Sequence, residues 1–433
     1  MKTLFTCDQC TYSSPKWLGK CPQCENWNTF QENTPETKQK SQKRTAKPAQ
    51  PLTLSRVPTA LQRIKIDNHE IDRVLGGGIV PGNMILLSGE PGIGKSTLTL
   101  QLCHYLTNQT KKVLYISGEE SIQQIAIRAQ RLKINTEHLQ LLNETDFDTI
   151  QATIEQEKPD LAIIDSIQVV GSTNHTGMPG SINQVRSCTE ALMEYAKRTQ
   201  TPIILIGHVT KDGNLAGPRI LEHLVDTVLF LEGERYHELR LLRNLKHRFG
   251  PTNEVGIFEM TENGLIEVKN PSSAFLQEKQ ESSIGSCLSC TLEGTRPILV
   301  EIQALTNRTP FGYPRRNATG IDLNRVELLI AVLQKYSSIN LSDQDVYVNV
   351  VGGINIKDPA VDLAICLAIF SSHKKIALPR DMIATGEVGL TGEIIKATGF
   401  EKRIKEIKKL GFSNILPAKG ETNSISELGH WIG

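Results

Sequence analysis

The sequence predicts an α/β protein: a mainly parallel sheet around a phosphate-binding loop, a small metal-stapled unit before it, and a second α/β block after it. Three observations carry this. Apolar strand-like runs alternate with helical patterns between about residues 56 and 270. One run leads into Gly89-Glu90-Pro91-Gly92-Ile93-Gly94-Lys95-Ser96-Thr97, which fits the pattern Gly-x4-Gly-Lys-Ser/Thr. Near the N-terminus, Cys7/Cys10 and Cys21/Cys24 form two Cys-x2-Cys pairs separated by ten residues.

The first element is the cysteine quartet. Each Cys-x2-Cys turns two thiolates toward one point, and four thiolates close the shell of a structural Zn²⁺ without an open position for catalysis. A segment of about thirty residues has too little core to fold without such a staple. Residues 1–30 are therefore read as a four-cysteine zinc finger. Cys287 and Cys290 share the short spacing but stand alone among alternating neighbours, so they read as part of a strand; Cys103, Cys188 and Cys366 lie in apolar patterns and read as core.

Residues 31–55, rich in Gln, Lys, Thr and Pro, have the composition of a linker. From Lys38 to Lys65 there are eight basic residues and no acidic one, a solvated tether or a contact to nucleic-acid phosphates. The whole chain is nearly neutral, with 48 Lys+Arg against 47 Asp+Glu, so its net charge names no partner. No segment approaches the length of a membrane helix, and the N-terminus lacks the apolar core of a signal peptide. A cytoplasmic protein is expected, which argues against disulfides among the nine cysteines.

The next block, residues 56–270, offers five strands: 84–88, 113–117, 161–165, 203–207 and 227–231. Such continuous apolar runs suit a parallel sheet buried on both faces. Ligands in that architecture sit at the carboxyl ends of the strands. There the glycines of the loop let backbone N–H groups face phosphate oxygens at a helix N-terminus. Lys95 is expected to reach the β- and γ-phosphates and Ser96 to hold Mg²⁺. Strand 161–165 ends in Asp165, placed as a second Mg²⁺ partner. Strand 113–117 leads into Gly118-Glu119-Glu120, where Glu119 or its neighbour would orient the water that attacks the γ-phosphate. His208, after strand 203–207, is either a γ-phosphate sensor or a structural histidine.

Residues 271–433 contain an alternating strand from Val346, an apolar helix from Pro359 to Phe370 and a basic helix from Glu401 to Leu410, without a cofactor motif.

Over essentially its full length the chain resembles the RadA/Sms family of bacterial recombination and repair ATPases. The residues that carry the resemblance are the cysteine quartet, Leu75-Gly-Gly-Gly-Ile-Val-Pro-Gly82, the phosphate loop and Ser117-Gly-Glu-Glu-Ser121. Ile164-Asp-Ser-Ile-Gln168, Leu292-Glu-Gly-Thr-Arg-Pro297 and Lys246-His247-Arg248-Phe249-Gly250 complete the set. In the last motif the family has Asn where this chain has His247. The resemblance implies a RecA-like core that assembles as a homo-hexameric ring with the nucleotide at a subunit interface. Lys246 and Arg248, two apart on a predicted strand, would then reach the γ-phosphate of the neighbouring subunit.

The C-terminal block resembles the proteolytic domain of Lon, but the dyad is missing: Ala360 stands at the serine position and Glu401 at the lysine position. It is expected to serve as an oligomerisation and DNA-contact scaffold, with Lys396, Lys402, Arg403, Lys405, Lys408, Lys409, Arg315 and Arg316 as a basic surface. The resemblance implies a DNA-dependent ATPase that promotes branch migration during break repair, as a ring helicase on single-stranded DNA. It also implies single-stranded and branched DNA, RecA and a replicative helicase as partners, ATP, Mg²⁺ and Zn²⁺ as cofactors, and a place at the nucleoid. A non-motor signalling ATPase of the RecA/KaiC-like group and an ATP-dependent protease are the alternatives, the latter opposed by Ala360.

Overall fold

The computed structural model describes residues 4–10, 12–33, 62–134, 137–174, 178–207, 218–233, 239–269, 272, 283–310, 312–379, 381–417 and 424–432. It divides into two compact units, Met1–Ala60 and Leu61–Gly433. Residues 34–55 of the expected linker, and His208, lie outside the described residues.

The first unit is a three-stranded antiparallel sheet in which β1 (Leu4–Cys7) lies between β2 (Ser13–Ser14) and β3 (Phe30–Asn33). Its apolar core consists of Cys7, Cys21 and Phe30 with a few half-buried neighbours, too small to hold the unit without its cysteines.

In the second unit, α1 (His69–Val74) starts at Asn68, whose side chain accepts from Ile71 N. Then come β4 (Met84–Gly89), α2 (Lys95–Asn108), β5 (Val113–Ser117), α3 (Ile122–Arg131), β6 (Leu139–Asn143), α4 (Phe147–Glu157) and β7 (Leu161–Asp165). They are followed by α5 (Ile182–Thr199), β8 (Ile203–Ile206), α6 (Pro218–Leu224), β9 (Thr227–Glu232), β10 (Leu239–His247), β11 (Val255–Thr261) and β12 (Gly264–Glu267). All nine strands form one sheet in the order β12-β11-β10-β9-β4-β8-β7-β5-β6. The six from β9 to β6 run parallel, and β10, β11 and β12 extend the sheet in antiparallel fashion.

The parallel strands β4, β5, β7 and β8 are buried at every position, which is why their sequences read as unbroken apolar runs. Separate apolar clusters fill the two faces of this sheet. The five expected strands form within a residue of their expected ends. β6 and the antiparallel extension were not among them.

Beyond this sheet come β13 (Ser286–Glu293), β14 (Arg296–Arg308), β15 (Arg316–Thr319), α7 (Leu323–Tyr336), β16 (Gln344–Val350), α8 (Asp362–Lys374) and β17 (Met382–Ala384). The chain then forms β18 (Glu387–Val388), β19 (Ile394–Ile395), α9 (Phe400–Lys409) and β20 (Asn414–Leu416). Six of these strands make a second sheet, ordered β15-β16-β14-β13-β17-β20. Helix α8 is buried around its circumference from Asp362 to Ser371 and forms the centre of this block. Cys287 and Cys290 lie buried on β13, as the lone Cys-x2-Cys suggests, and Cys103, Cys188 and Cys366 are core residues.

Three sequence expectations change. Arg403 is 1% exposed, so it leaves the expected basic surface of α9: it pairs with Asp358 (2.7 Å) and donates to Cys290 O. A charge this deeply buried needs such partners. Arg316 also turns inward, donating to Leu341 O at 2.8 Å and to Gln344 O. Arg248 does not share a strand with Lys246, because β10 ends at His247. At the site of the missing dyad, Ala360 is fully buried, and Glu401 is exposed and paired with Lys396 (3.2 Å).

Candidate active site and zinc centre

The loop between β4 and α2 turns through residues with left-handed backbone, Gly92 (φ 80°) and Gly94 (φ 116°). At Gly94 the left-handed backbone demands glycine, and a Cβ there would also have to displace the Met260 methyl, 2.5 Å away. Gly94 caps α2, and Lys95, Ser96 and Thr97 form its first turn with unpaired N–H groups pointing outward. Lys95 is 4% exposed and donates to Gly89 O (2.9 Å) and Glu90 O (3.0 Å), so its ammonium lies across the mouth of the loop. Burial pulls its pKa down, and the carboxylates of Asp165 and Glu119 pull it back up.

Register brings the other groups to the same end of the sheet. Ser117 on β5 pairs with Asp165 on β7, and Asp165 pairs with Ile206 on β8, so the carboxyl ends of the strands are level. Ser96 Oγ donates to Asp165 Oδ2 (3.0 Å), and buried Tyr115 donates to the same oxygen (2.5 Å). Burial raises the Asp165 pKa, while the Tyr115 and Ser96 hydroxyls hold it down. Ser96 and Asp165 present the oxygen pair that suits Mg²⁺. Bound there with ATP, the ion would neutralise charge building on the phosphate oxygens.

The two glutamates after β5 are separated by their partners. Glu120 is held in a fork by Arg128 at 2.6 and 2.7 Å. Glu119 accepts from Ser166 Oγ beside Asp165 and is close enough to act on the Lys95 charge. Glu119 therefore faces the loop, and Glu120 secures α3.

Lys246 and Arg248 sit elsewhere. Lys246 donates to Glu222 O (2.6 Å) and His223 O (3.2 Å) near the end of α6, and Arg248 pairs with Asp226 (2.9 Å). Lys246 is level with Val228 on β9, which is level with Leu86 on β4, while Asp226 bonds Met84 at the amino end of β4. Both cations thus lie at the opposite end of the sheet from Lys95. His247 between them is buried, with Nδ1 3.0 Å from Thr227 Oγ1 and Nε2 3.2 Å from Leu75 O. It ties β10 to β9 and to the glycine turn after α1.

Sequence reasoning missed Tyr115 and Arg240. The signal for Tyr115 is the single aromatic hydroxyl among the aliphatic residues Val113, Leu114 and Ile116. Arg240 is buried on β10 and donates to Ile93 O in the phosphate loop (3.2 Å).

In the first unit, the four cysteine sulfurs lie within 4.8 Å of one another, with Cys7–Cys24 at 3.6 Å and Cys10–Cys21 at 3.5 Å. A tetrahedral ion with legs of about 2.3 Å requires sulfurs about 3.8 Å apart, so the quartet fits Zn²⁺. The Thr29 hydroxyl, 3.1 Å from Cys7 Sγ, draws that thiol's pKa down, while desolvation and contact with neighbouring sulfurs push Cys10 and Cys24 up, so a cation at the centre is what would let all four be thiolates.

Fold and site together define a P-loop ATPase fused to a zinc ribbon and to a second α/β domain. Family models agree: an AAA domain matches residues 48–214, a rubredoxin metal binding domain residues 5–32, and the ChlI subunit of Mg-chelatase residues 318–421. The chain is 50% identical over 424 residues to the DNA repair protein RadA of Bacillus subtilis (strain 168), covering 96% of this chain and 93% of that one. It is 48% identical over 425 residues to the DNA repair protein RadA of Listeria monocytogenes serovar 1/2a, covering 97% and 93%. The chain belongs to the RadA family. A weaker likeness is to a solved ATPase domain, at 16% identity and a TM-score of 0.42 over 48% of this chain and 92% of that one. ATP and Mg²⁺ are the cofactors of the ATPase domain, which makes the protein an ATP-hydrolysing enzyme, and Zn²⁺ is that of the ribbon. Among the described residues no helix is long and apolar enough to cross a membrane.

Proposed function

We propose that the protein is a DNA-dependent ATPase that processes recombination intermediates, promoting branch migration during break repair as a hexameric ring on single-stranded DNA. The observation that carries this reading is the separation of the two cationic groups. Lys95 lies at the carboxyl end of β4, and Arg248 is tied through Asp226 to its amino end, about 17 Å away for a six-residue strand, with the Lys246 ammonium reaching Glu222 O on the same side. One subunit cannot bring both to one phosphate, whereas a ring of copies can. Lys95, Ser96, Asp165 and Glu119 then serve the subunit's own nucleotide, and Lys246 and Arg248 serve that of the neighbour.

In this reading Glu119 orients the attacking water, because Glu120 is committed to Arg128. Lys95 leaves the carbonyls of Gly89 and Glu90 for the β- and γ-phosphates. Similarity to DNA repair proteins named RadA supports DNA as the substrate. RecA and a replicative helicase are partners that this reading proposes in addition. The exposed lysines of α9, Lys402, Lys405, Lys408 and Lys409, with Lys396 before it, are the candidate phosphate contacts on the C-terminal domain.

The test is steady-state ATP turnover against single-stranded, double-stranded and branched DNA. Turnover is expected to rise with single-stranded DNA and to vanish in Lys95→Ala. Turnover indifferent to saturating DNA in the assembled protein would leave a non-motor ATPase.

A further inference from the structure

Strand β10 is a wall shared by two domains. Leu242 belongs to the apolar core around the phosphate loop. Leu241, with Val255 and Ile257 of β11, belongs instead to the core of the C-terminal domain. Alternation along one strand has therefore placed each neighbouring residue in a different core.

The polar residues follow the same division. On the phosphate-loop face, Arg240 donates to Ile93 O and Asn244 donates to Val74 O (2.8 Å). On the other face, Arg243 pairs with Glu232 and with Glu293 Oε2 (2.6 Å). Glu293 is buried at the β13–β14 turn, within the Leu292–Pro297 motif that the ATP chemistry leaves unexplained. In that motif Leu292 N donates to Asp358 Oδ2 (2.7 Å), and the Asp358 carboxylate pairs with Arg403 of α9. A line of ion pairs and one backbone hydrogen bond thus joins the basic helix, the turn and the strand that carries Lys246. It passes through Asp358, two residues before Ala360.

Resting on the ATPase reading above, we propose that Arg243 and Glu293 are positioning residues that couple the C-terminal domain to ATP hydrolysis. A buried carboxylate such as Glu293 cannot be parted from its cation without a large penalty. The turn and β10 therefore move as one, and the turn sets where Lys246 and Arg248 stand. A second bridge, Arg296 to Glu70 (2.5 Å), and the shared apolar core hold the domains together independently. Loss of the Glu293 charge therefore loosens the coupling without detaching the domains.

The experiment uses full-length protein and the variants Glu293→Gln and Arg243→Gln, with Glu293→Asp as the conservative control. Hydrogen–deuterium exchange of residues 292–297 is measured with and without Mg²⁺ and a slowly hydrolysed ATP analogue, alongside a nucleotide titration of each sample. In the wild type, nucleotide is expected to slow exchange in the turn. In Glu293→Gln that response is lost and kcat falls about tenfold, while KM and nucleotide affinity stay within about twofold. Glu293→Asp should recover part of both. Exchange in the turn that ignores nucleotide in a wild type that binds it would overturn the coupling alone. So would a Glu293→Gln variant with unchanged kcat and exchange response. A wild type that binds no nucleotide would remove the ATPase reading as well, and the titration tells the two failures apart.

Discussion

Arg248 is fastened to Asp226, with Nη1 2.9 Å from Oδ1, and the other oxygen of that carboxylate accepts from Met84 N (3.3 Å). The guanidinium is thereby tied to the first residue of β4, while the phosphate loop leaves the last. Half of the Arg248 side chain is exposed, so the pair gives direction more than stability, and a phosphate from a neighbouring copy would compete with Asp226 for it. In the proposed ring, the core would supply one half of a site at each end of a single strand.

Tyr115→Phe removes a hydroxyl that favours the charged form of Asp165 against a burial that opposes it. The acid limb of the pH–rate profile should move to higher pH, and Mg²⁺ affinity should weaken. A limb that stays in place would show that Asp165 ionisation does not limit the reaction.

His247 carries a pH signature. Burial lowers its pKa in the folded protein below the ordinary 6.5. The unfolded chain therefore takes up the proton more readily, and stability falls as pH drops through the window below 6.5. Between about pH 7.5 and about pH 5.5, the urea midpoint of the wild type should drop further than that of His247→Asn. His373, also lowered by burial, acts with the same sign in both proteins, so the difference between them isolates His247.

Cys24→Ser should release the zinc and unfold residues 4–33, whose core is only Cys7, Cys21, Phe30 and their half-buried neighbours. The thermal transition of the second compact unit should be retained, because its cores draw on none of these residues. Zinc content and calorimetry read the two effects separately.

Arg403 and Lys405 lie two residues apart on α9 and should behave oppositely. Arg403→Ala strands the Asp358 carboxylate and should cost about 3–5 kcal/mol of stability. Lys405→Ala should leave the melting temperature unchanged and reduce the salt slope of DNA binding by about one. Equal melting temperatures for the two variants would contradict the buried pair.

What the sequence could say about this molecule follows from how local each signal is. The parallel strands were readable because burial on both faces writes itself as an unbroken apolar run. Strand β10 was less so: Arg240, Arg243 and Lys246 interrupt it, and each is satisfied by a group distant in the chain. Arg403 read as a solvated charge on a basic helix because its partner Asp358 is 45 residues away. Glu119 and Glu120 were equivalent until Arg128, one helix later, claimed one of them. The loop, the quartet and Asp165 needed only spacing and position at a strand end, so they were legible throughout.

The central claim is that each catalytic site takes Lys95 from one copy and Arg248 from the next. Mixing Lys95→Ala with Arg248→Ala protein tests it most directly. Each variant alone should hydrolyse ATP at a small fraction of the wild-type rate, about 10²-fold or more below it. Co-assembled, some interfaces would join an intact Lys95 to an intact Arg248, and activity should reappear. A mixture that stays inactive despite proven co-assembly, or an Arg248→Ala protein with full activity, would contradict it.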